Sequence, residues 1–441
     1  MKVYIGKSKF DSKAIIWDTE KVINGHMLIV GGSGAGKTYT IRQILKVMQK
    51  EAKKAKVSIM DVHGDIEIEG MERIAFSEVS PYGLNPLVIN ADVDFGGVRR
   101  RVETFKSIIN SAGKLGVQQE QVIQNAIEDL CAAQGFLKKD PTTWDINVDK
   151  RKNPKFPKRY PTLEDLIMFL TYKMKQMKFG TTDQVVNLLE QLNRQKKKLQ
   201  VLMKKSMKAQ GEDEIAKIES DIEKTKASAK ELFSEYMDAI ATGREVDEML
   251  RYENADVISS TLIRLRNMEQ SGIFKNKHPD FKPDTRIQNY DIKSLSGDEQ
   301  RYFVYTLLEE KFMYYKSMGA LNDSEDRIRE IIVMDEAHIF VNDDPRNPIN
   351  TILKEARKYG LAIIFASQSF NHFSEDILSN VVTKLCLGID ETFHDPSARA
   401  LKIDAKRFKH IVMQKTGLVQ IKEKGSTSNQ FLDVILNVGE V

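Results

Sequence analysis

The residues of this chain that are best suited to chemistry form a glycine-rich run that ends in lysine and threonine. The run fits the pattern GxxxxGK[ST], between an apolar, strand-like segment (His26–Val30) and a helical pattern from about Thr38 to Lys50. Glycines let successive N–H groups face phosphate oxygens, and the next helix points its positive end at the same charge. A plain strand-to-helix turn is the alternative. The predicted nucleotide-binding residues are Gly31, Gly32, Ser33, Gly34, Ala35, Gly36, Lys37, Thr38 and Tyr39.

Two residues of this phosphate loop have individual roles in the prediction. We expect the Lys37 ammonium group to contact the β- and γ-phosphates, and therefore to assist catalysis. We expect the Thr38 hydroxyl to bind a magnesium ion, because the motif places it beside the phosphates. The predicted cofactors are ATP and Mg²⁺.

A second chemical feature is a pair of carboxylates at the end of an apolar run. Asp335 and Glu336 follow the strand-like segment Ile331–Met334. In this arrangement the first carboxylate holds the metal and the second polarises the attacking water, so we predict Asp335 as a metal residue and Glu336 as the base. Such pairs also occur as plain strand ends, but the phosphate loop favours function, since we expect the acidic strand to neighbour the loop strand. For His338 we expect only a packing or hydrogen-bonding role.

The arrangement of apolar runs indicates the elements that position these residues. Short runs followed by helical patterns predict an α/β fold with a buried, mainly parallel sheet. Between the early and late strands the pattern is mostly helical, with a basic loop at Lys150–Pro161. We therefore predict an N-terminal part of the core (1–98), a helical insertion (99–284) and a C-terminal part of the core (285–441). The predicted strands are His26–Val30, Val57–Met60, Arg286–Tyr290, Ile331–Met334, Leu361–Ala366, Thr383–Ile389, Leu418–Ile421 and Phe431–Leu436.

The composition excludes several other classes of protein. The 441 residues are 41% hydrophobic and 29% charged, which is typical of a folded chain with a sizeable core. The net charge of +4 provides no uniform field for nucleic acid or membrane, so such contacts would need local patches. Cys131 and Cys386 have no metal or disulfide spacing. Without a signal peptide or a long apolar run, we expect a cytoplasmic protein with no membrane contact.

Together with the phosphate loop and the acidic pair, four shorter motifs resemble the HerA/FtsK superfamily of ring-forming, DNA-pumping ATPases, and the HerA branch most closely. The resemblance covers roughly residues 20–90 and 285–440 and implies a RecA-like P-loop core. The four motifs are Glu355-Ala356-Arg357-Lys358-Tyr359-Gly360, Ala366-Ser367-Gln368, Asp61-Val62-His63-Gly64-Asp65 and Asn85-Pro86-Leu87.

The resemblance implies roles for two further catalytic residues. Arg357 matches an arginine finger, whose guanidinium stabilises the phosphoryl group bound by a neighbouring subunit. A solvated arginine near a helix end is the alternative for this residue. Gln368 follows a strand beside the acidic one, so its amide is placed to sense the γ-phosphate or orient water, unless it is only a polar strand end. For His63 and Asp65 a turn near the phosphate loop is favoured over a metal site.

Two features depart from the family pattern. Because only about 20 residues precede the first core strand, we expect no N-terminal β-barrel of the kind that HerA proteins usually carry, and we expect Lys2–Trp17 to form a minimal strand pair instead. Within the insertion, apolar residues at helical spacing predict an antiparallel helical hairpin at about 184–240, with Gly211 at the turn. The hairpin lysines are candidates for phosphate contacts, although the solvated face of an amphipathic helix explains them better.

These observations lead to two hypotheses about function. In the first, the chain is an ATP-hydrolysing motor that assembles as a homo-oligomeric, hexameric ring and translocates on or unwinds double-stranded DNA. In the second, the ring is a regulatory or scaffold NTPase that gates a nuclease or another effector in DNA-end processing or antiphage defence. A conjugation-type coupling ATPase is disfavoured because the sequence has no membrane segment.

Overall fold

The structure is a computed structural model, and it describes residues 1–52, 54–147, 158–179, 183–207, 212–239, 252, 255–322, 327–342, 347–426 and 430–440. The predicted turn at Gly211 and most of the predicted basic loop at Lys150–Pro161 lie outside these residues. In the ranges given, no helix is both long enough and apolar enough to cross a membrane.

The strands of the described residues are short, as is usual for a sheet enclosed by helices. In chain order they are β1 (Lys2–Ser8), β2 (Ala14–Asp18), β3 (Met27–Val30), β4 (Lys56–Asp61), β5 (Met71–Ala75), β6 (Ile287–Asp291), β7 (Glu330–Met334), β8 (Leu361–Ser367), β9 (Thr383–Cys386), β10 (Thr416–Ile421) and β11 (Leu432–Gly439).

The helices fall mainly between β5 and β7. In chain order they are α1 (Lys37–Glu51), α2 (Val98–Ala112), α3 (Val117–Ala133), α4 (Leu163–Phe179), α5 (Asp183–Ser206), α6 (Glu212–Ala239), α7 (Ala255–Gln270), α8 (Gly297–Ser317), α9 (Pro348–Glu355), α10 (Glu375–Asn380), α11 (His394–Leu401) and α12 (Lys406–Lys409). Short 3₁₀ turns cover Pro141–Thr143, Ala337–Ile339, Ala356–Tyr359, Phe370–His372 and Glu391–Phe393.

The described strands form one sheet in the order β2-β1-β11-β10-β9-β3-β8-β7-β4-β6-β5. The seven strands from β9 to β5 pair in parallel. The other four extend the sheet with antiparallel pairs. The predicted α/β fold with a mainly parallel sheet is therefore confirmed, and so is the expected N-terminal strand pair, since β1 and β2 are antiparallel neighbours.

One expectation about the sheet is wrong. The acidic strand β7 does not neighbour the phosphate-loop strand β3, because β8 lies between them. All three strands are parallel, so their carboxyl ends still meet at one edge of the sheet. The register pairs Val30 with Ser367 and Met334 with Phe365, which aligns the ends of these strands to within about two residues.

Burial explains which strands the sequence pattern reveals. Strands β3, β7 and β8 are buried at every position, so each appears as a continuous apolar run. Strand β5 was not predicted, since it lies at the edge of the sheet and its residues are half-buried or exposed. Strand β9 ends at Cys386, three residues before the predicted end at Ile389.

The chain divides into two compact units. The first contains residues 1–114, 137–162 and 268–441, and it includes the whole sheet. The second contains residues 115–136 and 163–267 and is helical where it is described. In the second unit α5 and α6 pack side by side, and Gln195 Nε2 lies 3.4 Å from Ser228 Oγ, a pairing that confirms the predicted antiparallel hairpin. The predicted domain boundaries at residues 98 and 285 stay predictions.

Candidate functional site

The phosphate loop connects the buried strand β3 to helix α1. Gly34 and Gly36 have φ values of +73° and +99°, which L side chains rarely adopt, so the loop needs glycine at both positions. A Cβ atom added to either residue would meet no atom within 4 Å, so the apex of the loop borders open space. Lys37 Nζ donates hydrogen bonds to the carbonyl oxygens of Gly31 at 2.8 Å and Gly32 at 3.2 Å. The Lys37 side chain therefore folds back over the phosphate loop.

A segment near the C-terminus packs on this loop, and the sequence offered no signal for it. Gln414 Nε2 donates a hydrogen bond of 2.8 Å to the carbonyl oxygen of Gly34, across 380 residues of chain. Met413 lies beside Gly32, where an added Cβ atom would be 3.7 Å from the methionine methyl carbon. Gln414 itself has a φ of +62°, a conformation that costs a non-glycine residue energy and often marks functional loops.

The acidic pair follows β7 at the same edge of the sheet. Asp335 and Glu336 are only 5% and 7% exposed, so both carboxyl groups are removed from most solvent. Glu336 has a φ of +44°, a left-handed conformation that turns the chain sharply after the strand. Strand β4 is the other neighbour of β7, and the register pairs Met60 with Met334, the residues that precede Asp61 and Asp335. Carboxylates from two separate parts of the sequence therefore lie at the same edge of the sheet.

Three carboxylates meet at this edge. Carboxylate oxygens of Asp61, Asp65 and Asp335 all lie within 4.8 Å of one another. Burial, the charge of Glu336 and the two other aspartates raise the pKa of Asp335 to about 6, and the positive charge of His63 opposes this rise only in part. The negative charge around Asp335 is therefore only partly balanced by its positive neighbours, and a divalent cation would balance the rest. The donor set fits Mg²⁺, which prefers carboxylate and hydroxyl oxygens.

Asp61 also has a structural role in the turn that follows β4. Its carboxylate accepts hydrogen bonds from the backbone N–H groups of Gly64 at 2.7 Å and Ile66 at 3.1 Å. The same carboxylate accepts from Arg73 at 3.2 Å and from the buried amide of Asn289 at 2.9 Å. These contacts fix the turn containing His63 and Asp65. No sequence motif pointed to the contributions of Arg73 and Asn289.

Glu336, the predicted base, is surrounded by polar side chains. His338 Nδ1 lies 3.1 Å from Glu336 Oε2, and His63 Nε2 lies 3.6 Å from Oε1. Gln368 Nε2 donates a weak hydrogen bond of 3.5 Å to Oε2. Burial opposes ionisation of Glu336, but His338, Lys37 and His63 outweigh it and lower the pKa. A carboxylate held ionised in this way is suited to accept a proton.

The histidines near Glu336 make more polar contacts than the sequence indicated. His338 contacts Glu336, which agrees with a polar contact role, and its ring also packs 5.0 Å from that of His372. His372 Nδ1 in turn lies 3.2 Å from Ser367 Oγ at the end of β8. The histidines thus form a polar layer beside the predicted base that motif spacing alone did not indicate.

Arg357 lies away from this group of residues. It precedes β8, at the amino end of the strand, whereas Gln368 follows the carboxyl end. There Arg357 helps to line a cavity of about 50 Å³ together with Arg327 and Lys424, next to Gly25 at the start of β3. Within one chain, Arg357 is therefore separated by the length of the strand from the site that contains Glu336.

A parallel sheet with a phosphate loop after one strand and an acidic pair two strands away defines a P-loop nucleoside triphosphatase. The chain belongs to the family DUF87, described as the central domain of the helicase HerA, whose model matches residues 3–311. It is thus a member of a P-loop ATPase family.

Two solved structures of other proteins are similar to this chain over most of its length. VirB4 of Thermoanaerobacter pseudethanolicus is 15% identical, with a TM-score of 0.63 over 99% of this chain and 96% of that chain. The bacterial conjugative coupling protein TrwB is 11% identical, with a TM-score of 0.48 over 99% of this chain and 93% of that chain. None of the curated proteins compared with this chain matches it significantly. At these identities the likeness to VirB4 shows the fold alone.

Proposed function

We propose that this chain hydrolyses ATP at the edge of the sheet where β3, β8 and β7 end. The observation that supports this most directly is the convergence of Lys37 on the phosphate loop with the buried pair Asp335 and Glu336. Lys37 is close enough to Glu336 to lower the pKa of the carboxyl group. Membership in the HerA central-domain family supports the same activity.

Each residue at this edge has a distinct task in the proposed reaction. Thr38 and Asp335 would hold Mg²⁺, with Asp61 and Asp65 adding negative charge nearby. When bound, Mg²⁺ neutralises charge on the phosphate oxygens. Glu336 accepts a proton from the attacking water, a task for which its lowered pKa keeps it ionised. The N–H groups of the loop and Lys37 hold the β- and γ-phosphates.

Gln368 and Arg357 complete the proposed site in different ways. The Gln368 amide already contacts Glu336, so it is placed to orient the attacking water or respond to the γ-phosphate. Arg357 lies at the opposite edge of the sheet, and we propose that it acts on the nucleotide of an adjacent copy. A guanidinium supplied in this way stabilises the charge of the transferring phosphoryl group. Such an arrangement needs an oligomer in which the two edges meet.

We propose a hexameric ring that uses hydrolysis to translocate on double-stranded DNA. The family to which the chain belongs supports this assignment. The small net charge of +4 means that a local lining, rather than the whole surface, would contact the DNA backbone.

The catalytic assignment is tested by steady-state ATP hydrolysis with purified full-length variants. Lys37→Ala is expected to abolish hydrolysis, and Glu336→Gln is expected to keep ATP binding while lowering kcat by about 100-fold or more. Glu440→Gln is the matched control, since Glu440 is exposed and pairs with Lys50 in the last turn of α1, far from the loop. Unchanged kcat in Glu336→Gln would show that another group is the base.

The DNA assignment needs a separate measurement. ATP-dependent displacement of a triplex strand from duplex DNA is expected for the translocase, with no displacement by Glu336→Gln. Hydrolysis that duplex DNA does not stimulate, together with co-purification of a nuclease or another effector, would instead favour the scaffold hypothesis. The assay thus separates the two functions while leaving the ATPase assignment to the previous experiment.

A further inference from the structure

Two segments of the chain contact the phosphate loop on the side of β9, the neighbour of β3 that lies opposite β8. In the first segment, which follows β9, the carbonyl oxygen of Gly388 accepts a hydrogen bond of 2.7 Å from the N–H group of Gly32. The second segment, which we call the 411–416 turn after its residues, is attached to Gly34 by Gln414. Both segments therefore lie beside any nucleotide that the loop holds.

Hydrogen bonds within the 411–416 turn hold its shape. The N–H group of Thr416 donates to the carbonyl oxygen of Val412 at 2.9 Å, and the N–H group of Val412 donates to the Thr416 hydroxyl at 2.8 Å. Strand β10 begins at Thr416, so the turn is attached to the sheet at one end and to the phosphate loop through Gln414. The positions of its side chains relative to the loop are therefore fixed.

The side chain of Met413 lies against two glycines of this site. A Cβ atom added to Gly388 would be 3.1 Å from Met413 Cγ, and one added to Gly32 would be 3.7 Å from Met413 Cε. The absence of side chains at both positions therefore lets the methionine approach the backbone of the loop. Met413 is nevertheless 47% exposed, and the adjacent Val412 is 54% exposed. Two neighbouring apolar side chains beside the phosphate loop are thus in contact with solvent.

The order of the strands indicates how a bound nucleotide is oriented. Glu336 and Gln368 follow β7 and β8, which both lie on the same side of β3. In the proposed reaction the γ-phosphate must lie on that side, because the water activated by Glu336 attacks it. The α-phosphate and the nucleoside then extend towards the other side of β3, where Gly388 and the 411–416 turn contact the loop.

We propose that Val412 and Met413 form the surface on which the base of the bound nucleotide packs. The location of this surface rests on the proposed ATP hydrolysis, because that reaction orients the triphosphate. A purine ring is flat, and the flexible, polarisable side chain of methionine adapts to an aromatic ring. Because such packing depends on the apolar area that is buried, a purine should bind more tightly than the smaller ring of a pyrimidine.

Two properties favour a nucleotide base over an adjacent copy of the chain as the occupant of this surface. The 411–416 turn is hydrogen-bonded to the loop that holds the phosphates, so the surface continues the nucleotide site. Val412 and Met413 also present far less area than the roughly 800 Å² that each partner of a stable protein complex buries. Tyr39, in the first turn of α1, is 60% exposed and is the competing surface for the base. Two adjacent side chains on the side of β9 favour the turn over Tyr39.

The test compares the binding of a non-hydrolysable ATP analogue with that of tripolyphosphate, by isothermal titration calorimetry of the full-length protein with Mg²⁺. The double variant Val412→Ala/Met413→Ala is expected to bind the analogue at least about fivefold more weakly, and tripolyphosphate equally well, because it loses apolar area without a change of charge. Val79→Ala is the matched control, since Val79 is 87% exposed and follows β5 at the far edge of the sheet. Equal losses for both ligands, or no loss for either, would overturn the proposal.

A second measurement uses the wild type and does not depend on the folding of a variant. The ATP analogue is expected to bind at least about fivefold more tightly than tripolyphosphate, and more tightly than the matching analogue of UTP. Equal affinity for the ATP analogue and tripolyphosphate would refute the base surface alone, whereas a wild type that binds neither would refute the proposed ATP hydrolysis. Weaker binding of the analogue to Tyr39→Ala, with the double variant unchanged, would assign the base to Tyr39 instead.

Discussion

Replacing the proposed metal carboxylate Asp335 by asparagine should make the ligand-free protein more stable while destroying its activity. Asp335 is 5% exposed and lies among the carboxylates of Glu336, Asp61 and Asp65. Burial and these charges raise its pKa from 3.8 to about 6. The folded state therefore opposes ionisation of Asp335, whereas the unfolded chain permits it. Asparagine has nearly the same shape and removes the charge that the fold disfavours.

The size and sign of the effect follow from this difference in pKa. The change from 3.8 to about 6 corresponds to about 3 kcal/mol, since each tenfold change in an ionisation constant is worth about 1.4 kcal/mol. Below pH 3.8 the carboxyl group is protonated in both the folded and the unfolded state, so it does not lower the stability of the folded state. As the pH rises towards 6 only the unfolded state loses its proton, and stability falls. Above about pH 6 the carboxyl group is ionised in both states, and the folded state is destabilised by the full difference in ionisation free energy.

Thermal and urea unfolding of the ligand-free protein between pH 4 and pH 8 provide the assay. At pH 8, Asp335→Asn should unfold about 3 °C or more above wild type, a shift calculated from roughly 2.1 cal/mol/K of unfolding entropy per residue. At pH 4 the two proteins should unfold at nearly the same temperature. Mg²⁺ should raise the melting temperature of wild type but not that of Asp335→Asn. Asp61→Asn is the contrasting control, because Asp61 accepts backbone hydrogen bonds and its loss should destabilise. Equal or lower stability of Asp335→Asn at pH 8 would refute the reasoning.

Three further predictions concern Arg357, Gln414 and His338. Mixing Arg357→Ala with Lys37→Ala subunits should restore part of the ATPase activity if Arg357 acts on an adjacent copy, and an inactive mixture would exclude that role. Gln414→Ala should raise KM for ATP severalfold with little change in kcat, because Gln414 braces the loop; steady-state kinetics that show only a lower kcat would contradict this. His338→Gln should move the acid limb of the kcat–pH profile to higher pH, since His338 helps to lower the pKa of Glu336; an unmoved limb would argue against this contact.

Local sequence patterns were sufficient for the strands and loops that carry the proposed chemistry. The segment Met27–Val30 is apolar at every position because both faces of the strand are buried, and glycines at 34 and 36 are needed for positive φ angles. The run before Asp335 is likewise apolar because both faces of its strand are buried. Strand β5 was missed because half-buried, charged residues at a sheet edge produce no apolar run.

Long-range pairings could not be predicted from the sequence, because no local pattern specifies which distant segments become neighbours. The sheet inserts β8 between β3 and β7, which brings Gln368 to Glu336 and leaves Arg357 at the opposite edge.

The phosphate loop, the acidic pair and the hairpin could be predicted from local sequence, since each depends on the order and spacing of nearby residues. The folded structure was needed to show that Gln414 braces Gly34, that His63 lies beside Glu336, and that Asp61 lies close to Asp335. Each of these depends on contacts between segments far apart in the chain, where burial and strand register, rather than residue spacing, set the distances.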